Sequence, residues 1–264
     1  MRTAINAALW DVEAHALKQK MDYKGFIHAA AGAGYEGVEV GGTEETRGPA
    51  GEFRKFVEDQ GLVIAAFFTS VTYNPYTPNR EQYEKEMRYA AELGVKILTV
   101  CGGFIPNQRR NTYSFDYDIF AGNLGKAMEY ARGLGLEIAF HPHRGCVVET
   151  IAETGEMVKR LPDFKICADI AHLEASGDDA AQFIRTFRDR IIFTHIKDYS
   201  WARDSFVELG AGDGKLNVAE CIEELRAAGY DGWLSVELDK KWEEGDNAFE
   251  LAKRCRAYLR KCGY

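Results

Sequence analysis

The sequence predicts a single eight-fold barrel, (β/α)8, over residues 1–264, and two observations carry that expectation. Apolar strand-like runs alternate with amphipathic helical stretches eight times within the chain, the order produced by parallel strands joined by crossover helices. The last four runs, IAFHPH, FKICADIAH, RIIFTHIKD and GWLSVELD, each carry an imidazole or carboxylate at or just past their carboxyl end.

The first run, residues 3–9, leads into a helical pattern at 22–33 that closes at Gly34 before the second run at 36–40. A helix at 50–60 precedes the third run, 62–68, and one at 79–93 stops at Gly94 before the fourth, 95–101. Residues 102–116, GGFIPNQRRNTYSFD, then form a long loop of the kind that shapes or covers an active site. The helix at 116–134 ends at Gly135 before the fifth run, 136–141, and the helix at 149–160 precedes the sixth, 165–170. A helix at 178–188 leads to the seventh run, 191–196. Helix 217–228 ends at Gly229 before the eighth run, 232–238, and a helix at 246–262 completes the count. Glycine tolerates the left-handed conformation that closes a helix, so its return at four helix-to-strand turns supports the repeat. No linker or change of composition divides the chain; a doubly wound open sheet is the main alternative.

With 46% hydrophobic and 12% aromatic residues, the chain can bury a large core. A formal net charge of −8 argues against a nucleic-acid surface. The six cysteines are scattered without a C-x-x-C pair, which reads as small core residues in a reducing compartment. No run approaches the roughly 18 apolar residues of a membrane span, and the N-terminus has no export signal, so a cytoplasmic protein without a membrane partner is expected.

Barrel active sites lie at the carboxyl ends of the strands. His141, His143, Asp169, His172, His195 and Glu237 all fall there, a mixture suited to a hard or borderline divalent cation. Each also has a plainer explanation. Asp169 caps a turn, His172 and His195 bond to backbone, and Glu149 is a favourable first-turn acid. Glu237 at the end of an apolar strand would otherwise be an unpaired buried charge.

Together HPHRGCVVET (141–150), ADIAH (168–172), HIKD (195–198), ELGAGDGKLN (208–217) and YDGWLSVELD (230–239), with GYEGVEV around residue 39, resemble the sugar isomerase/epimerase group of the xylose isomerase-like TIM barrels. That group's usual metal set is Glu, Asp, His, Glu, and Asp169, His195 and Glu237 match it. Many relatives end the fifth strand in Glu-Asn-His, where Ala139, Phe140 and His141 stand here. The His-x-His, glycine and Val-Glu pattern is similar to the inosose dehydratase-like branch, which transfers the first ligand to Glu149; if Glu149 only serves the helix, His141 or His143 replaces it. The resemblance implies one divalent ion, with Mn²⁺ favoured over Co²⁺, Mg²⁺, Fe²⁺ or Zn²⁺, a carbohydrate or cyclitol substrate and a homo-oligomer. It further implies isomerisation or epimerisation through a metal-stabilised enediolate, with Glu149 and Glu237 trading protons, or dehydration on the same site. His172 and Lys197 would assist catalysis, Lys197 alternatively pairing with Asp198 or Asp169. His141, His143, Glu39 and Arg203 would bind substrate, and Trp10, Phe68 and Trp201 would face a sugar's apolar side. An endonuclease IV-like nuclease and a barrel without catalysis are the alternatives from other classes.

Overall fold

The computed structural model describes residues 1–73, 79–105 and 112–264. The loops expected at 72–80 and 102–116 therefore lie partly outside the described residues. Eight parallel strands close into a barrel: β1 (Arg2–Asn6), β2 (Gly37–Gly41), β3 (Val63–Val71), β4 (Ile97–Gly102), β5 (Glu137–Phe140), β6 (Lys165–Asp169), β7 (Ile191–Ile196) and β10 (Trp233–Val236). They follow one another around the barrel in chain order, and β10 pairs back onto β1 through Arg2↔Trp233 to Ile5↔Val236. All eight expected runs are strands. A short antiparallel hairpin, β8 (Asp198–Ser200) with β9 (Ser205–Val207), was not anticipated and stands just past β7.

The helices are α1 (Ala8–Ala16), α2 (Tyr23–Ala33), α3 (Glu44–Arg47), α4 (Ala50–Asp59), α5 (Arg80–Glu92), α6 (Ser114–Gly133), α7 (Ile151–Arg160), α8 (Ile170–Ala175), α9 (Ala180–Phe187), α10 (Val218–Ala227) and α11 (Ala248–Lys261). Their starts are written locally. Asp22, Asp179, Asn217 and Asn247 each accept a hydrogen bond from the backbone amide three residues on, satisfying a donor that the first helical turn leaves free. The ends are equally local: Gly34, Gly94, Gly135 and Gly229 have φ between 74 and 86°, as the helix-to-strand turns require.

The core has two layers. Between helices and barrel, Phe26 and Ile27 of α2, Phe183 and Ile184 of α9 and Leu251 and Leu259 of α11 are wholly buried, each side chain contributing about 1.5–3 kcal/mol by leaving water. Inside the barrel, Ala4, Ala65, Ala66, Ala139, Cys167 and Phe193 form a separate plug of mostly small side chains. Polar groups from the strands then crowd toward the carboxyl ends: Glu39, Thr99, Ser235, His195, His141, Asp169 and Glu237 are all buried.

Candidate metal centre

His141, Asp169, His195 and Glu237 each direct one donor atom into a group whose atoms lie within 4.8 Å of one another. β6 pairs with β7 so that Asp169 sits beside His195, and β10 delivers Glu237 immediately past its last strand residue. His141 Nε2 lies 3.9 Å from Asp169 Oδ2 and 3.7 Å from Glu237 Oε2. His195 Nδ1 lies 3.9 and 3.3 Å from the same two oxygens. The set therefore converges from β5, β6, β7 and β10.

Each member is oriented by a second contact. Asp169 divides its carboxylate: Oδ1 caps α8 by accepting from the amides of Ala171 and His172, both at 3.0 Å, while Oδ2 faces the group. The plain turn-capping explanation and the ligand explanation are thus both satisfied by one side chain. His195 is fixed through Nε2, 2.8 Å from Glu39 Oε2, and Glu39 in turn accepts from Ser235 Oγ at 3.1 Å and from Thr99 Oγ1. A carboxylate behind the far nitrogen of a ligating imidazole sets its tautomer and raises its basicity. Glu39, expected to hold a substrate hydroxyl, is fully buried with both oxygens committed, and its place is behind His195.

Glu149, expected from the resemblance as the first ligand, lies apart from these four. It does not join the four-residue group, because Oε1 accepts from Gly145 N at 2.7 Å and Oε2 from Ser176 Oγ at 3.2 Å. Those bonds tie the loop after β5 to the end of α8, and His141 occupies the position expected of the first carboxylate. Arg203 is exposed and donates to Ala211 O at 3.2 Å. Arg144 approaches the site through its backbone: its N–H donates to His172 Nδ1 at 3.3 Å, while its exposed side chain holds Asp204 at 2.8 Å. With Nδ1 accepting, the neutral His172 ring carries its proton on Nε2, which faces Asp239 Oδ2 at 3.6 Å. The expected aromatic wall is only partly formed, since Trp10 is core and Trp201 donates to Glu174.

Lys197 is completely buried, its ammonium 2.6 Å from Asp169 Oδ2, 2.7 Å from Glu237 Oε2 and 3.0 Å from Asp239 Oδ1. Burial opposes its charge, but Asp169, Asp239 and Glu237 hold its pKa well above the ordinary lysine value. Glu237 is held well below the carboxylate range, against burial, by His195 and Lys197. His141 is pushed well below the usual imidazole range by burial and by His195 beside it, so it stays neutral.

A divalent cation fits this donor set. Three carboxylates, Asp169, Glu237 and the partly exposed Asp239, face one lysine ammonium, and a fourth, Glu39, stands against His195. Both ring nitrogens of His141 and Nδ1 of His195 are buried without hydrogen-bond partners, an arrangement that costs about 1–3 kcal/mol per group unless a ligand satisfies it. Carboxylate oxygen with neutral imidazole is the ligand chemistry of Mn²⁺, Fe²⁺, Co²⁺ and Zn²⁺.

Three residues were missed at the sequence level. Asp239, one residue beyond the strand pattern that ends at Leu238, joins His172 and Glu237 in a second acidic group. Cys101 and Cys146 approach His143. The thiols of Cys167, Cys221 and Cys255 are pushed up to about 12 by burial, as expected of inert core cysteines, whereas the hydrogen bond with Cys101 and then His143 hold Cys146 down to about 7 against burial.

A closed barrel of parallel strands with carboxylates and imidazoles massed at its carboxyl mouth places the chain among the (β/α)8 proteins, whose active sites lie at that face. Residues 27–262 match the model of the xylose isomerase-like TIM barrel family, and the chain belongs to that family. It is 27% identical over 270 residues to an inosose dehydratase of Geobacillus thermodenitrificans, with 90% of this chain and 89% of that protein aligned. Among solved structures it is similar to the IolI protein with a bound zinc atom (TM-score 0.79, 16% identity, 99% and 98% of the two chains). It is also similar to an L-ribulose 3-epimerase (TM-score 0.77, 17% identity, 99% and 94%). No helix among the described residues is long and apolar enough to cross a membrane.

Proposed function

We propose that the chain is a divalent-metal-dependent dehydratase acting on a keto-cyclitol or keto-sugar, its ion held by His141, Asp169, His195 and Glu237. The observation that carries the choice of dehydration is the position of Glu149. Epimerisation as expected from the sequence needs two carboxylates on opposite sides of one carbon, and Glu149 is held by Gly145 and Ser176 while His141 fills the place. Water loss requires one base and one hydrogen-bond donor at the leaving hydroxyl, which the remaining residues supply. Likeness to the inosose dehydratase over 90% of the chain supports the same reading.

When bound, the ion supplies Lewis acidity that polarises the substrate carbonyl and lowers the acidity barrier at the neighbouring carbon. Glu237, kept ionised by Lys197 and His195, removes the proton from that carbon. Lys197 Nζ donates to the oxygen on which negative charge grows, a role for a preorganised cation shielded from water. His172, neutral with its N–H on the side of Asp239, donates to the departing hydroxyl. Isomerisation or epimerisation shares the proton abstraction and is the second reading, favoured by the family's fold.

The test is incubation of Mn²⁺-loaded protein with keto-inositols and ketohexoses in D₂O. The expected product is lighter by one water; an epimer carrying solvent deuterium without water loss would favour the second reading. Elemental analysis alongside should find about one ion per chain, lost in His141→Ala and Glu237→Ala and kept in Glu149→Ala. Retention by His141→Ala with loss in Glu149→Ala would overturn the ligand set.

A further inference from the structure

Beside the oxygen-rich group lies a cluster of different chemistry. Donor atoms of Cys101, His143 and Cys146 are within 4.8 Å of one another, and both cysteines are buried, at 3% and 1% exposure. Two ligands at about 2.3 Å from a zinc ion and at the tetrahedral angle stand about 3.8 Å apart, so the three side chains need only a small contraction to close on one ion.

The backbone holds them in this relation. Cys101 is in β4 next to Gly102, where an added Cβ would lie 2.0 Å from Val71 O, so the strand end is pressed against β3. Phe104 and Cys146 form an antiparallel bridge, reinforced by Val147 N–H to Gly103 O at 2.9 Å and Ile105 N–H to Gly145 O at 3.2 Å. The loop after β5 folds back on itself through His143 N–H to Val148 O at 3.1 Å. His143 Nδ1 lies 2.7 Å from the Arg144 carbonyl, which selects the Nδ1–H tautomer and leaves Nε2 as the lone-pair nitrogen. A carbonyl behind one imidazole nitrogen is the usual support of a ligating histidine.

We propose that Cys101, His143 and Cys146 form a second metal site, for a thiophilic d¹⁰ cation of the Zn²⁺ class, adjacent to the carboxylate–imidazole centre. Two thiolates and one imidazole leave a fourth position open for a water or another ligand. Soft thiolates select such a cation over Mn²⁺ or Mg²⁺, so the two centres differ in metal preference. The loop 141–146 thereby serves both, His141 facing one ion and His143 with Cys146 the other.

The test is titration of the reduced full-length protein with Co²⁺ under argon, followed by ultraviolet and visible absorption. A thiolate-to-cobalt charge-transfer band arises only from sulfur ligation, so its reading does not depend on what the first centre binds or catalyses. The expected result is two equivalents of Co²⁺, the band saturating with one of them, and at least a tenfold weaker uptake of that equivalent in Cys101→Ser and Cys146→Ser while the other is retained. So that the result does not rest on the folding of either variant, the Zn²⁺-loaded wild-type protein is also studied by zinc X-ray absorption, which should show scattering from two sulfur ligands at about 2.3 Å. Absence of the charge-transfer band, its persistence in Cys146→Ser, absence of zinc–sulfur scattering, or recovery of the two cysteines as a disulfide without bound metal would each overturn the proposal.

Discussion

Replacing Lys197 by methionine removes the ammonium in contact with Asp169 and Glu237 while nearly keeping the side chain's volume. Its ammonium lies 2.6 Å from Asp169 and 2.7 Å from Glu237. At an effective dielectric constant near 20, each contact is worth about 6 kcal/mol before desolvation is subtracted. Desolvation of the lysine cancels much of that gain, and measured losses on breaking one partner of a buried pair are about 3–5 kcal/mol. At about 2–4 °C per kcal/mol for a chain near this size, the metal-free variant should melt roughly 10 °C below wild type. The structure adds a sign that a generic core defect would not show. Asp169 and Glu237, relieved of the competing ammonium, should bind a cation more tightly, so Mn²⁺ should raise the melting temperature of Lys197→Met by more than it raises that of wild type. Differential scanning calorimetry with chelator and with excess Mn²⁺ measures both quantities. A metal-free variant within about 2 °C of wild type, or a Mn²⁺ shift no larger than the wild-type shift, would refute the reasoning. Activity should fall by about 10²–10³ in kcat even when metal is saturating, because a donor to the developing oxyanion is gone.

Glu39→Gln should leave the fold intact yet weaken metal affinity about 10–100-fold, as loss of the carboxylate behind His195 predicts; isothermal titration with Mn²⁺ checks this, and unchanged affinity would place Glu39 outside the metal's support. In the metal-free protein His141 and His172 are both lowered from 6.5 chiefly by burial, whereas His195, held up against burial by Cys167, Glu237 and Glu39, and His143, held up against burial by Cys146, are raised. The unfolded chain binds protons that native His141 and His172 refuse, so their contribution is complete above pH 6.5 and is lost as pH falls toward their lower folded values, with a slope of up to about 1.4 kcal/mol per pH unit for each, while His195 and His143 act in the opposite sense. Urea unfolding from pH 7.5 to 5 should therefore show a flatter acid decline, or a steeper acid gain, in His141→Gln than in wild type. Phe183→Ala, on the wholly buried face of α9, should cost about 3–5 kcal/mol in urea unfolding without altering the metal content of the folded fraction.

The sequence by itself determined the barrel and most of its mouth. Strand period, helix caps such as Asp22 and Asn217, and the closing glycines are local signals, each specified within a few residues, and eight of them in order leave little freedom for a different topology. The convergence of Asp169, His195 and Glu237 at one end was legible because a strand end in a closed parallel barrel has only one place to go. Glu149 was not, since its fate depends on Gly145 N and Ser176 Oγ, the latter 27 residues away. Nor could local pattern show that Glu39 stands behind His195, 156 residues on, or that Lys197, whose pairing with Asp169 was one expectation, would also reach Glu237. Cys101 and Cys146 read as small apolar residues until adjacent strands and a backbone bridge brought them to His143. Tertiary structure decided these partnerships because hydrogen bonds and ion pairs depend on distances of a few ångströms across the barrel, and those distances are set by closure and loop packing.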